Sequence, residues 1–366
     1  MSLFYNAAVK TWDVIIVGGG IIGLSLSLAL RKRGMRVLVV DKGELGREAS
    51  YAAGGMLADS LIDTPGVLQP LATASAQMYP EFVHEIEDES GLKADLRSQG
   101  TIVLVDPRDV QHLPAPYRSM QLSAEELASL EPAVARTNHS AIFLEERSVD
   151  PRALTTAVLK AAKHRAVDTS AGDAVVSVDL ADSRVVGVST VKTSFLAPIV
   201  INCAGAWSGQ IGAHRFPTRP VKGQMLCVTA GKESAPRHVV RAPEAYLIPR
   251  SDGRVLVGST VEEAGFDKRT VPATIQRMHR DAVKLVPKFA SAQILEDWAG
   301  LRPGTADNLP ILGATATPGY YVATGHFRDG ILLAPITARV LADVICGEEP
   351  QISLAAFSPA RFQRAA

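Results

Sequence analysis

Three glycines and one aspartate near the start of the chain have the types and the spacing to hold a dinucleotide. Gly18, Gly20 and Gly23 fall as G-x-G-x-x-G, and Asp41 closes the apolar run that follows. The first glycine permits a tight turn, the second lets backbone amides approach a pyrophosphate, and the third lets a helix lie close on a strand. Amides at the helix start, around Ile21 and Ile22, then face the phosphates with the positive pole of the helix behind them. Asp41, followed by Lys42, stands where a carboxylate accepts hydrogen bonds from a ribose diol.

The elements that must place these residues are legible around them. Val14 to Val17 is a β-branched run stopped abruptly by Gly18, which predicts a buried strand. Leu24, Leu28 and Leu30 recur at helical spacing and lead to Arg31 to Arg33, whose charges suit the negative end of a helix. Val37 to Val40 predicts the second strand. The competing reading is a membrane span, because Val14 to Leu30 carries no charge. A span needs about 20 apolar residues, and glycines in mid-run weaken a helix by about 1 kcal/mol each relative to alanine.

A chain of 366 residues with 47% hydrophobic content predicts two domains with substantial cores. Lys+Arg and Asp+Glu are equal at 38 each, so no long-range field selects nucleic acid or anionic lipid. Cys203, Cys227 and Cys346 are far apart and the histidines lack metal-ligand spacing, so neither a disulfide framework nor a bound metal is expected. The thiols read as reduced and the protein as cytoplasmic, and MSLFYNAAVKTWD at the N-terminus does not predict secretion.

Small residues from Ala49 to Ala58, among them Ser50, Ala53, Gly54, Gly55 and Met56, let backbone press against a flat ligand. Pro70 to Glu89 predicts a helix, Thr101 to Val105 a strand, Ser123 to Glu126 a capping box, and Asp150-Pro151 another helix start. Alternation through Ala174, Val176 and Val178, on either side of Val175, and then from Val185 to Val191, predicts a hairpin. PIVINCAGAW then repeats the opening logic: a strand from Ile199 to Cys203 runs into Ala204 and Gly205, with Trp207 closing the motif. A second nucleotide-facing motif so far from the first is a habit of FAD enzymes whose nucleotide domain is interrupted. From Pro217 the character changes to antiparallel strands, Gln224 to Val228, Ala245 to Pro249 and Arg254 to Ser259, followed by a helix from Pro272 to Pro287.

The expected fold is α/β, α+β overall. A Rossmann-like FAD-binding domain of residues 11–80, 150–216 and 298–366 is interrupted by a mostly antiparallel β substrate domain with helices, residues 81–149 and 217–297.

The glycine motif, SYAAGGMLA, VINCAGAW, YLIPRSDGRVLVGST, WAGLRPGTADNLPILG and TGHFRDGILLAP follow one another over nearly the whole chain. In this they resemble the flavoprotein oxidases of the D-amino-acid oxidase superfamily, and most closely its glycine-oxidising branch of thiamine biosynthesis. The resemblance implies non-covalent FAD, a small amino-acid substrate, dioxygen as acceptor and a homotetramer. It also implies hydride transfer from Cα to flavin N5, with an oxo acid, ammonia and hydrogen peroxide as products.

By the same resemblance Arg302, in the turn GLRPG, holds the substrate carboxylate, and Tyr246 and Arg328 stand beside it. A planar guanidinium suits that role because two parallel N–H bonds fix orientation as well as binding. Arg302, His326, Phe327, Arg328, Asp329, Gly330, Ile331 and Leu332 would also meet the flavin. A helix starting near Gly330 would aim its positive pole at the flavin edge that turns anionic on reduction. Glu244 and Val261 stand where the family often carries histidine and methionine near the substrate. A D-amino-acid or sarcosine oxidase, a dehydrogenase using another acceptor, and a non-catalytic dinucleotide-binding module therefore stay open.

Overall fold

The computed structural model describes residues 11–362 apart from 63, 213, 230, 232 and 233, so most of the N-terminal stretch read above lies outside the described residues. A six-stranded sheet has the order Ile311–Ala314, Tyr320–Thr324, Ile199–Asn202, Val14–Val17, Val37–Val40, Asp168–Ser170. Val14–Val17 lies at its centre, parallel to both Ile199–Asn202 and Val37–Val40. Every residue of Val14–Val17 and Val37–Val40 is buried, as a parallel sheet covered on both faces requires. Asp168–Ser170, short and polar, gives no strand signal in the sequence.

Helices Ile21–Lys32, Gln69–Ser90, Pro151–His164 and Ala334–Ile345 share one core on one face of this sheet. Asp150 caps Pro151–His164, its carboxylate accepting the amides of Arg152 and Ala153. On the other face a three-stranded antiparallel sheet, Val175–Ala181, Arg184–Thr190 and Ser194–Leu196, packs Val178, Val185 and Val188 against Ile15 and Val17.

A second sheet of eight strands runs Gln293–Gly304, Arg219–Thr229, Arg254–Gly258, Tyr246–Pro249, Val239–Arg241, Thr101–Val105, Ser140–Leu144, Gln121–Leu122. Its pairs are antiparallel except Val239–Arg241 with Thr101–Val105. The strand period of two divides its side chains cleanly. Leu226, Val228, Leu247, Val255 and Val257 pack beneath the helix Pro272–Leu285, while Met225, Cys227, Ile248 and Leu256 form a separate cluster on the opposite face.

Two of the expected domain boundaries fall inside elements. The helix Gln69–Ser90 runs unbroken across residue 80, and Leu71, Tyr79, Val83 and Ile86 all join the first core. The strand Gln293–Gly304 pairs with Arg219–Thr229 from end to end, across residue 298. Pro80 and the motif opening at Trp298 look like breaks in the sequence; core packing and sheet pairing override them. Among the described residues no helix is long and apolar enough to cross a membrane.

Candidate active site

A cleft of about 530 Å³ is lined by residues of both large sheets. At one end, Gly18 has φ 110°, and a Cβ there would overlap the Cys203 carbonyl, so the turn tolerates only glycine. A Cβ on Gly23 would collide with the Gly18 carbonyl, so this residue seats the helix without lining the cleft. Ser50 Oγ accepts the Ile21 amide at 2.9 Å, joining the helix start to the small-residue segment. Asp41 accepts the Gly19 amide at 2.7 Å and the Gly43 amide at 2.8 Å, which ties the glycine loop to the end of the second strand. Lys42 Nζ sits 3.2 Å from the centre of the Trp207 ring, and that ring lies 5.1 Å from Phe266. Burial pushes the Lys42 ammonium below its ordinary pKa, with Glu48 and Asp41 opposing.

At the other end the eight-stranded sheet forms the wall. Arg302 lies within the strand Gln293–Gly304 and pairs in register with Val221, so it is a strand residue and not the turn residue expected from GLRPG. Gln293–Gly304 is the edge of its sheet, where Pro303 is tolerated. Arg302 Nη1 donates to the Thr260 carbonyl at 3.1 Å and Nη2 to Ser259 Oγ at 2.7 Å. Burial lowers the pKa of its guanidinium; the nearby Tyr246 phenol opposes that shift and the Arg328 charge adds to it. A Cβ on Gly258 would strike the Tyr246 ring, and one on Gly300 would strike Ala52. Gly223, Met225, Gly300, Leu301 and Pro303 line this end and were missed from the sequence. The one available signal was Gly223 and Met225 two apart on a strand, facing the same side.

Asp329 and Leu332 do not line the cleft. The Asp329 carbonyl accepts the Leu333 amide, and Leu332 is packed in the first core with its carbonyl bound by Ser75 Oγ at 2.6 Å. The regular helix begins at Ala334, not near Gly330. Pro335 has no amide hydrogen and a fixed φ, so it belongs in the first turn, and the chain passes the cleft at Arg328, Gly330 and Ile331 as turns. Apart from Gly23, every other expected cofactor or substrate residue from Gly18 to Ile331 lines this cleft. Glu244 and Val261 line a different hollow of about 470 Å³ beside Pro272–Leu285. His326 is fully enclosed, and burial pushes its pKa down to about 3.

These residues fit a flavin dinucleotide. The helix-start amides and Asp41 suit a pyrophosphate and a ribose, and Gly54, Gly55 and Gly205 give walls without side chains. Among the described residues no group of three metal-ligating side chains occurs. A parallel dinucleotide sheet sharing its cleft with an antiparallel sheet that presents a half-buried arginine defines a flavin-dependent oxidoreductase. The chain belongs to the FAD dependent oxidoreductase family, DAO, which it matches over residues 13–344.

Its sequence is 33% identical over 361 residues to the glycine oxidase of Pseudomonas aeruginosa, covering 95% of this chain and 98% of that one. It is also 33% identical over 408 residues to the hydrogen cyanide synthase subunit HcnC of Pseudomonas aeruginosa, covering 97% of each. The crystal structure of glycine oxidase from Geobacillus kaustophilus matches with a TM-score of 0.92 at 31% identity, over 97% of this chain and 100% of that chain.

Proposed function

We propose that this FAD-dependent enzyme oxidises glycine or another small amino acid with dioxygen, giving an oxo acid, ammonia and hydrogen peroxide. The observation that carries the reading is Arg302: a half-buried guanidinium on the wall of the FAD cleft, beside Tyr246 and Arg328. Bound FAD supplies the two-electron acceptor. The chain supplies position and charge. Arg302 and Arg328 attract the carboxylate, and the Tyr246 phenol orients it. His326, which lines the cleft, is neutral at physiological pH and adds no positive charge to it. The Cα hydrogen leaves with its bonding electrons, so no side chain is required as a base at carbon. Water then hydrolyses the released imine.

FAD is held without a covalent bond on this reading: Cys203 lines the cleft, but burial raises its thiol pKa and keeps it from the reactive thiolate. A homotetramer in the cytoplasm, feeding thiazole synthesis for thiamine, completes the proposal and rests on the family resemblance. Anaerobic glycine should bleach the visible flavin spectrum, and kcat/KM for glycine, sarcosine and D-alanine should exceed that for D-phenylalanine, with peroxide formed in step with oxygen use. A preference for D-phenylalanine, or dye reduction without peroxide, overturns it. Equal identity to the hydrogen cyanide synthase subunit HcnC favours one second reading, a part in forming hydrogen cyanide, which a cyanide assay in the same reaction detects.

A further inference from the structure

The two residues that would orient the substrate carboxylate each sit four positions before or after a side chain that grips the opposite wall of the cleft. Tyr246 opens the strand Tyr246–Pro249, and Arg250 follows that strand. Arg250 Nη2 donates to the Gly54 carbonyl at 2.5 Å and Nη1 to the Val149 carbonyl at 3.0 Å. Arg302 lies on Gln293–Gly304, and four residues earlier Trp298 Nε1 donates to the Ala52 carbonyl at 3.1 Å. Two of these three acceptors, Ala52 and Gly54, belong to the small-residue segment 49–56, the cleft wall contributed by the nucleotide domain.

That segment is held from behind along its length. Arg152 Nε donates to the Tyr51 carbonyl at 3.3 Å, and the Val149 amide to the Gly55 carbonyl at 2.9 Å. Four carbonyls, those of Tyr51, Ala52, Gly54 and Gly55, are therefore taken by donors that do not themselves line the cleft. Arg250 is 3% exposed, burial pushes its pKa down to about 10, and Asp150 stands 3.9 Å from its Nε. It stays charged at neutral pH. A buried cation committed to two main-chain carbonyls costs desolvation, and a charged donor returns most when its acceptors are fixed.

We propose that Arg250 and Trp298 are positioning residues for the substrate site, pinning the strands that carry Tyr246 and Arg302 to the segment 49–56. The inference rests on the proposed role of Tyr246 and Arg302 toward a carboxylate. With either pin removed, the wall and the carboxylate-orienting pair are free to separate, while the segment's own tie to the glycine motif, the Ile21 amide on Ser50 Oγ, stays in place.

Acetate, the simplest carboxylate, titrated into the holoenzyme and followed by the visible flavin spectrum, tests this without turnover. Arg250→Met should weaken acetate about tenfold and raise KM for the oxidised amino acid more than it lowers kcat. FAD affinity measured by reconstitution should stay within twofold. Arg250→Lys, which can reach one carbonyl, should recover part of the loss. Trp298→Phe keeps the ring and removes one donor, and serves in the same assays if Arg250→Met does not fold. Unchanged acetate affinity in the folded variants overturns the inference, as does a loss of FAD affinity in proportion to that of acetate, which would mark a purely structural role. A parent enzyme that binds acetate but leaves glycine untouched would instead count against the proposed substrate.

Discussion

The Arg302 guanidinium lies flat on the backbone of Gly223, so closely that a Cβ at Gly223 would overlap Cζ and both terminal nitrogens. Gly223 pairs with Gly300 across the strands, two residues along the ladder from the pair Val221 and Arg302. Gly223 is in ordinary strand conformation, so it is kept free of a side chain by this contact alone and not by its backbone angles.

Gly223→Ala should therefore fold but displace the guanidinium from Ser259 and Thr260. Overpacking of this kind costs about 1 to 3 kcal/mol. KM for an amino-acid substrate should rise by about tenfold or more with FAD still bound. An unchanged KM would mean that the arginine has room to lie elsewhere without loss.

Removing the guanidinium is the harsher test. Arg302→Ala should weaken substrate binding by about 2 to 5 kcal/mol, the range for breaking one partner of a buried hydrogen-bonded charge pair. Tyr246→Phe keeps the ring against Gly258 and loses one hydrogen bond, so about 0.5 to 1.5 kcal/mol is expected. Steady-state kinetics on both variants, with flavin content as control, check the order of the two effects. Ordinary kinetics in Arg302→Ala would place the carboxylate elsewhere.

The two halves of the site differ in how far the sequence reveals them. Val14–Val17, Gly18, Gly20 and Asp41 are local: strand, turn, helix start and acid lie within one short stretch, and each residue type has a physical reason visible in the string. The substrate wall is assembled from four strands spread between Gly223 and Arg302. Register decides which of their residues meet, and register is not written in any one strand. Arg302 reads as a turn residue because Pro303-Gly304 follows it, yet an edge strand accommodates that proline. The start of the last helix goes wrong for the opposite reason. Apolar periodicity begins at Ile331, whereas backbone chemistry at Pro335 sets where regular bonding starts.

His326 gives a pH prediction with a definite sign. Its folded pKa is depressed from 6.5 to about 3 by burial, while Nε2 lies 3.1 Å from Thr337 Oγ1. Below pH 6.5 the unfolded chain takes up a proton that the folded chain refuses, so stability falls as pH drops through the window between 6.5 and 3. From pH 7 to pH 5 this one group should cost about 2 kcal/mol. Denaturant unfolding at the two pH values, compared with His326→Gln, should show the variant losing less on acidification. Equal losses would mean that the imidazole is protonated in the folded protein.

Asp41 offers the sharpest test of the cofactor end, because its two oxygens already have work within the loop. One accepts the Gly19 amide and the other the Gly43 amide, so the carboxylate shapes the glycine turn as well as facing the cleft. Asp41→Ala removes both acceptors, and a hydrogen bond to a charged group contributes about 1.5 to 3 kcal/mol. FAD affinity should fall by at least tenfold, measured by quenching of flavin fluorescence as apoprotein is reconstituted. Asp41→Asn keeps one acceptor oxygen and loses the charge, so its affinity should lie between those of the parent and the alanine variant. Both effects should appear in binding, with kcat near the parent value once FAD is saturating, because Arg302 and Tyr246 stand on the other sheet. Unaltered FAD affinity in Asp41→Ala would remove this carboxylate from the cofactor site and leave it as a loop anchor only.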